Sequence, residues 1–174
     1  MKLGRLIARI LIGGLFFGHG TQKWFGWFDG PGLDSASESM ASLGMRPGRR
    51  NAIAASATET IGGAMIVTGA LTPAAATMLI ATMITAIRTV HFKNGLWVSK
   101  GGYEFNLALI AGLLALVDGG PGSPSVDAML GVEEAGPGWA LATLALGAAG
   151  SALAIAEGRR HGDQEGERAA EGSD

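Results

Sequence analysis

The stretch NAIAASATETIGGAMIVTGAL, residues 51–71, decides the fold, because it predicts a membrane-crossing helix that carries an acid, Glu59, near its centre. A membrane-spanning helix needs about 20 mostly apolar residues, and a carboxylate at mid-depth costs roughly 2.5–3.5 kcal/mol on insertion scales. Such a side chain is expected to face protein or a water-filled cavity and to have a cationic or hydrogen-bonding partner. We therefore expect the functional site of the protein to lie at Glu59.

The composition also favours a membrane protein. The 174 residues are 48% hydrophobic and only 16% charged, against about 25% charged in ordinary soluble domains, and the mean hydropathy is +0.30. Cysteine is absent, which excludes a thiol relay, a disulfide and a Cys-ligated metal centre within this chain. Lys and Arg form only short clusters, so nucleic acid is not expected as a partner.

Five apolar segments predict an all-α fold, an integral membrane helical bundle of four transmembrane helices with a fifth C-terminal helix. The segments are residues 3–18, 51–71, 73–90, 102–117 and 139–156. We expect a four-helix membrane domain over 1–127, a linker with an additional transmembrane helix over 128–156, and a disordered charged tail over 157–174. Two alternatives are less favoured: the first segment as a signal peptide, and a wholly soluble helical protein.

The connection Leu71-Thr72-Pro73 is so short that the second and third segments must form an antiparallel hairpin. At about 1.5 Å rise per residue, the position level with Glu59 on the third segment is near residue 85, and Arg88 lies one turn further. Since a guanidinium can bind a carboxylate through two hydrogen bonds, Glu59 and Arg88 are the predicted intramembrane pair. A purely structural role for that pair, as a link between helices, stays open.

An up-and-down topology brings most polar residues of the first four helices to one membrane face. We expect them to bind a substrate or quinone there, with no catalytic residue and no metal ligand set assigned. The candidates are His19, Gln22, Lys23, Glu59, Arg88, His91, Tyr103, Glu104 and Asn106. Each of these residue types also has a structural interpretation. The histidines could be hydrogen-bonded structural residues, and the lysines could extend to lipid headgroups. The nearby tryptophans are interpreted as an interfacial belt.

Small residues four apart predict close contacts between helices, because packing drives helix association in lipid. One such pair is Gly14 and Gly18, and another is Gly147 and Ser151. Most of the 13 lysines and arginines belong to the end of the bundle where the first helix finishes, which predicts an outside N-terminus by the positive-inside rule.

Three motifs together resemble the DoxX family of small membrane proteins. They are H-G-x-x-K-x-x-G from His19 to Gly26, E-x-x-G-G from Glu59 to Gly63, and G-P-G-x-x-S-x-D from Gly120 to Asp127. The resemblance covers residues 3–127 and implies a four-helix membrane bundle. The fifth apolar segment departs from that pattern and puts the position of the C-terminus in question.

The family is named for a subunit associated with a thiosulfate:quinone oxidoreductase. The resemblance therefore implies the membrane subunit of a quinone-linked oxidoreductase system, with a polar intramembrane site for a quinone head group or a small oxyanion. No redox cofactor is encoded, so a quinone or a partner subunit would supply the electrons. The implied partners are the lipid bilayer, an oxidoreductase subunit or a second copy, and the implied location is the plasma membrane of a prokaryote, crossed several times. A non-enzymatic scaffold and a small-solute transporter are the alternatives.

Overall fold

The computed structural model describes residues 3–171 and is all-helical over that range, as predicted. The α-helices are α1 (Leu3–Phe25), α2 (Gly32–Ser42), α3 (Gly48–Thr68), α4 (Thr72–Ala86), α5 (Glu104–Gly119), α6 (Val126–Leu130) and α7 (Pro137–Glu171). Helix α4 continues without a break into a π-helical turn, Ile87–His91, and a 3₁₀ turn, Phe92–Asn94. A further 3₁₀ turn, Val98–Lys100, precedes α5.

The long helices form an up-and-down bundle. Helix α1 packs against α3, α3 and α5 pack against α4, and α7 packs against α4 and α5. The short helix α2 lies against α1 and α3. We call the end with the start of α1, the α3–α4 turn and α6 the proximal end, and the end with α2 and Val98–Lys100 the distal end.

In the described part of the chain, three helices are long and apolar enough by themselves to cross a membrane: Leu3–Phe25, Thr72–Asn94 and Pro137–Glu165. The last of these includes the predicted fifth apolar segment. Helix α5 has only 16 residues, and α3 carries Arg49, Arg50 and Glu59 among its apolar residues. The predicted helical membrane bundle is confirmed, with α3 and α5 packed among the three helices that are both long and apolar enough to span.

The core lies where α1, α3, α4 and α5 meet. Fully buried apolar side chains come from each of these helices, among them Phe16, Ile66, Leu79 and Leu113. Their burial fixes which face of each helix points inward. The opposite faces of α1, α3 and α5 keep exposed Leu, Ile and Phe residues, as expected of helices surrounded by lipid.

The closest helix contact is between α1 and α3, and it depends on glycines. A Cβ added at Gly63 would lie 2.5 Å from the Phe17 backbone nitrogen and 2.6 Å from the Gly13 carbonyl oxygen. The predicted Gly14 and Gly18 contact is wrong, because nothing lies within 4 Å of a Cβ at either position. These two glycines are on the side of α1 that faces away from α3.

The second predicted small-residue pair is confirmed as a contact of α7 with α4. A Cβ at Gly147 would lie 2.7 Å from the Ile80 side chain. Ser151, one turn further along α7, is fully buried, and the Thr85 hydroxyl lies 3.0 Å from its oxygen.

The charged tail is helical, which contradicts the predicted disorder for residues 157–171. Its helix has neighbours: Arg46 forms a 2.8 Å ion pair with Glu165, and Arg50 lies 3.6 Å from Glu157. With 35 residues, α7 is about 50 Å long at 1.5 Å per residue, which exceeds the roughly 30 Å of bilayer hydrocarbon. Its charged half therefore continues the transmembrane helix. Residues 172–174 of the predicted tail lie outside the described residues.

Candidate functional site

Glu59 is buried in the protein and has a cationic partner, as its position in an apolar helix predicts. The side chain is 2% exposed, and the Lys23 Nζ lies 2.6 Å from Oε1 and 2.5 Å from Oε2. The Lys23 side chain is 31% exposed, so one end of the pair reaches the edge of the protein. The acid on α3 is thus neutralised by the last turn of α1.

The predicted pair of Glu59 with Arg88 is wrong. Arg88 is exposed and lies in the π-helical turn, and the ion pair of Glu59 is with Lys23. The face of α4 that lies on the same cavity as Glu59 carries Thr82 and Thr85 instead. Matching depths along a hairpin gives the level of a residue but not the direction in which its side chain points, and Arg88 points away.

Gly20 explains how Lys23 reaches the acid. A Cβ at Gly20 would overlap the side chain and backbone of Thr60, the neighbour of Glu59 in sequence. The absent side chain lets α1 approach α3 at this level, and Lys23 follows one helical turn later. The H-G-x-x-K motif therefore works through its glycine and lysine, whereas His19 is exposed.

A cavity of about 480 Å³ adjoins the ion pair, in the range typical of sites for small ligands. Its walls come from the last turn of α1, α2 and the α2–α3 connection, α3, α4, the π-helical turn and α7, and they are mostly apolar. The polar lining residues are Lys23, Asn51, Thr58, Glu59, Thr82, Thr85, Thr89 and His91; the apolar ones are Met40, Leu43, Met45, Ala54, Ala55, Met78, Ala81, Ala86, Val90, Gly150 and Ala154.

His91 is the third predicted residue that lines the cavity. Its Nδ1 lies 2.8 Å from the Gly101 carbonyl oxygen, which also accepts a 3.1 Å bond from the Asn94 amide. A carbonyl oxygen can only accept, so Nδ1 carries the proton and Nε2 is left for another partner. The loop before α5 thus orients the ring.

The other predicted residues do not line the cavity. His19 and Arg88 are exposed, and the Gln22 amide donates a 3.4 Å hydrogen bond to the Phe28 carbonyl oxygen. Tyr103 stacks on Phe92 with ring centroids 6.1 Å apart. Glu104 is the first residue of α5, and Asn106 is buried with its amide 3.4 Å from the Met83 sulfur. The structure therefore brings together Lys23, Glu59 and His91 from the predicted set.

Three threonines of α4 and the π-helical turn that follows it line the cavity and are not among the predicted residues. Thr82, Thr85 and Thr89 follow one helix face and all line the cavity. Each hydroxyl donates to the carbonyl oxygen four residues earlier, at 3.2, 2.8 and 2.9 Å. The oxygen of each hydroxyl still has acceptor capacity for a ligand. Their spacing of three and four residues was a usable signal, but threonine is common enough in apolar helices to pass unnoticed.

A second polar centre, around Arg9 and Asp127, lies at the proximal end. The Arg9 guanidinium is buried and donates to the carbonyl oxygens of Pro121, Gly122, Pro124 and Val67 at 2.9–3.3 Å. This side chain joins α1 and α3 to the G-P-G-x-x-S-x-D segment. Arg9 was missed as a buried group because, near an N-terminus, it is indistinguishable from a cation at the membrane surface.

Asp127 attaches the same segment to the start of α4. Its carboxylate accepts hydrogen bonds from the Leu71 and Thr72 backbone N–H groups at 2.7 and 3.0 Å, and from the Thr72 hydroxyl at 2.8 Å. Its own N–H donates to the Gly69 carbonyl oxygen at 2.9 Å. The carboxylate therefore serves as the cap of α4, with the favourable sign for a helix N-terminus.

Comparison with known proteins identifies the family. The family model DoxX matches residues 4–92, slightly more than half of the chain. That range runs from α1 to the 3₁₀ turn after α4 and includes Lys23, Glu59 and His91. Searches of curated proteins and of solved structures found no match. The protein belongs to the DoxX family.

Proposed function

We propose that this protein is the membrane subunit of a quinone-linked oxidoreductase system and that its cavity binds the head group of a quinone. The observation that carries the proposal is the buried Lys23–Glu59 ion pair at the wall of a mostly apolar cavity of about 480 Å³. Sites for small organic ligands have this character, an apolar enclosure with a few placed polar groups.

The polar groups suit a ligand that accepts hydrogen bonds in one redox state and donates them in the other. An ammonium has three N–H donors, and the two Glu59 oxygens leave one for a ligand carbonyl. His91 offers Nε2, which accepts from a hydroxyl when neutral and donates when protonated. A bound quinone would take up two electrons and two protons, and Glu59 and His91, which both line the cavity, would hold those protons.

The geometry favours a neutral quinone head over a small oxyanion. The charge of Lys23 is already balanced by Glu59, and Arg88 does not line the cavity. An anion entering the cavity would meet the Glu59 carboxylate without an additional unpaired cation from the lining residues. Electrons would reach the ligand from an oxidoreductase partner, as the family association of DoxX proteins suggests.

The direct test is binding of decylubiquinone to the protein purified in mild detergent, together with mass spectrometry of co-purifying quinones and polypeptides. We expect Glu59→Gln to weaken decylubiquinone binding by about tenfold or more, equivalent to about 1.4 kcal/mol, while the helical circular dichroism is retained. Glu133→Gln, at an exposed position of the proximal end, is the matched control. Equal affinity in the Glu59→Gln variant and the unsubstituted protein would refute the proposed site.

A non-enzymatic scaffold is the second candidate, favoured by the charged helical part of α7 from Glu157 to Glu171. If the protein is a scaffold, a variant truncated within that segment should lose its co-purifying soluble polypeptides and should bind quinone as the full chain does. For a small-solute transporter, which the same cavity could serve, proteoliposomes would take up solute in a Glu59-dependent manner.

A further inference from the structure

The cavity is a groove that uses α4 as its floor. Thr82 and Thr85 of α4 and Thr89 of the π-helical turn line it. Ala54 of α3 and Ala154 of α7 lie on its flanks. Both α3 and α7 pack against α4. The groove thus runs between two helices that share one neighbour, and it is partly open.

The opening lies between α3 and α7. Of the lining residues, Ala54 and Ala154 are the two that are exposed. Both side chains are single methyl groups, which take up little of the space between the two helices. The ion pair of Arg50 with Glu157 links α3 and α7 about one helical turn nearer the distal end. Since α4 and α7 are apolar enough to cross the membrane, the side of the gap away from that ion pair borders the apolar part of the bundle.

The distal end of the groove is covered. Met45 lines the cavity there and packs against Gly158 of α7, where an added Cβ would lie 3.1 Å from the Met45 Cα. The Arg46 N–H donates to the Gly158 carbonyl oxygen at 3.3 Å, and the Arg46 side chain pairs with Glu165. This contact joins the α2–α3 connection to α7 and lies between the cavity and water.

We propose that the ligand enters sideways from the bilayer, between Ala54 and Ala154, and that its apolar tail stays in this gap. The inference rests on the proposed function and narrows it: the site takes a quinone dissolved in the membrane, with its head at Lys23 and Glu59. Helix α7 lies beyond the part of the chain matched by the family model, so one wall of the entrance is an addition to the matched domain.

The first test places a bulky side chain in the gap between α3 and α7. Ala54→Trp and Ala154→Trp should each weaken or slow the binding of decylubiquinone by about tenfold. Ile53→Trp and Leu153→Trp are the matched controls, because these side chains are exposed on the same helices and do not line the cavity. The controls should bind as the unsubstituted protein does.

The second test uses the absence of cysteine. With Ala154→Cys in liposomes, a membrane-soluble maleimide should label the protein, decylubiquinone should slow that labelling, and a membrane-impermeant maleimide should label poorly. In the double variant Arg46→Gln/Glu165→Gln, which loosens the distal cover, the rate of decylubiquinone binding should not change.

The outcomes separate the two proposals. If the unsubstituted protein does not bind decylubiquinone at all, the proposed function is overturned. If it binds, but Trp at Ala54 and Ala154 has no effect, or if loosening the distal cover speeds binding, only the lateral route is overturned.

Discussion

Glu59 and Lys23 show how a membrane protein can keep an acid within an apolar helix. The carboxylate is nearly inaccessible, and the ammonium contacts both of its oxygens from a neighbouring helix. Removing one member of a buried ion pair costs far more than removing both, because the remaining charge loses its compensation. The two residues should therefore behave as a unit in mutational experiments.

Lys23→Met should lower the free energy of unfolding, toward the lower end of about 3–5 kcal/mol because the Lys23 side chain is 31% exposed. The double variant Lys23→Met/Glu59→Leu should recover most of that loss. Circular dichroism during SDS titration in mixed micelles measures both values. Lys93→Met, at an exposed position of the distal end, is the control. A double variant as unstable as Lys23→Met would contradict an energetically coupled pair.

Arg9 and Asp127 indicate that not every buried charge in this chain marks a ligand site. All the hydrogen bonds of the Arg9 guanidinium go to backbone carbonyl oxygens, and the Asp127 carboxylate caps α4. The G-P-G-x-x-S-x-D segment thus has an evident structural role, fastening the proximal connections to α1, α3 and α4.

The two adjacent glycines of α3 let two helices approach it at once. Gly63 faces α1, while a Cβ at Gly62 would lie 3.0 Å from the Leu79 side chain of α4. Residues next to each other on a helix are about 100° apart around its axis, so one G-G pair serves two neighbours. The E-x-x-G-G motif therefore combines the acid of the candidate site with the contacts that hold α1 and α4 around it.

Gly63→Ala should destabilise the bundle by about 1–3 kcal/mol, because the added methyl group would meet the α1 backbone, which cannot rotate away. Gly14→Ala is a matched control with open space around the new methyl group. This control should be neutral or stabilising by up to about 1 kcal/mol, since alanine favours a helix. Thermal unfolding in detergent compares them, and equal effects would contradict the glycine contact.

The π-helical turn Ile87–His91 determines what the end of α4 presents to the cavity. A π turn inserts extra backbone into a helix and shifts the direction of the side chains that follow, and such turns are frequent at functional sites. His91 lines the cavity and Arg88 is exposed. A uniform 3.6-residue period could not indicate this arrangement.

Residues 3–171 form five long helices in alternating directions, so the described ends lie at opposite ends of the bundle. Leu3 begins α1 at the proximal end, and Glu171 ends α7 at the distal end. A four-helix bundle would bring both ends to the same side. The added helix thus changes the side on which a charged C-terminal segment can meet a partner.

Single cysteines test this topology, because the chain has none of its own. Ser123→Cys is exposed at the proximal end and Ser99→Cys at the distal end. If the basic distal end is inside, as the positive-inside rule predicts, an impermeant maleimide should label Ser123→Cys in right-side-out vesicles and Ser99→Cys in inverted vesicles. Labelling of both from the same side would contradict the alternating arrangement.

The sequence by itself determined the class of fold and indicated the central residue of the candidate site. Apolar segments of bilayer length imply helices, because an isolated backbone in lipid must satisfy its own hydrogen bonds. A carboxylate in such a segment must be compensated, which is why Glu59 indicates a partner and a polar site from sequence alone. Both inferences use local properties of the chain.

The tertiary structure decided the partner of Glu59, the glycines that bring α1 to it, and the walls of the cavity. Lys23 rather than Arg88 faces the acid because helix rotation and approach depend on packing among all neighbours, including the Gly20 and Gly63 contacts. The helical conformation of the charged part of α7 likewise depends on the tertiary structure. That segment has little apolar surface, and it forms ion pairs with Arg46 and Arg50 of other parts of the bundle. Period and composition describe one helix at a time, whereas a site between helices depends on how they are packed together.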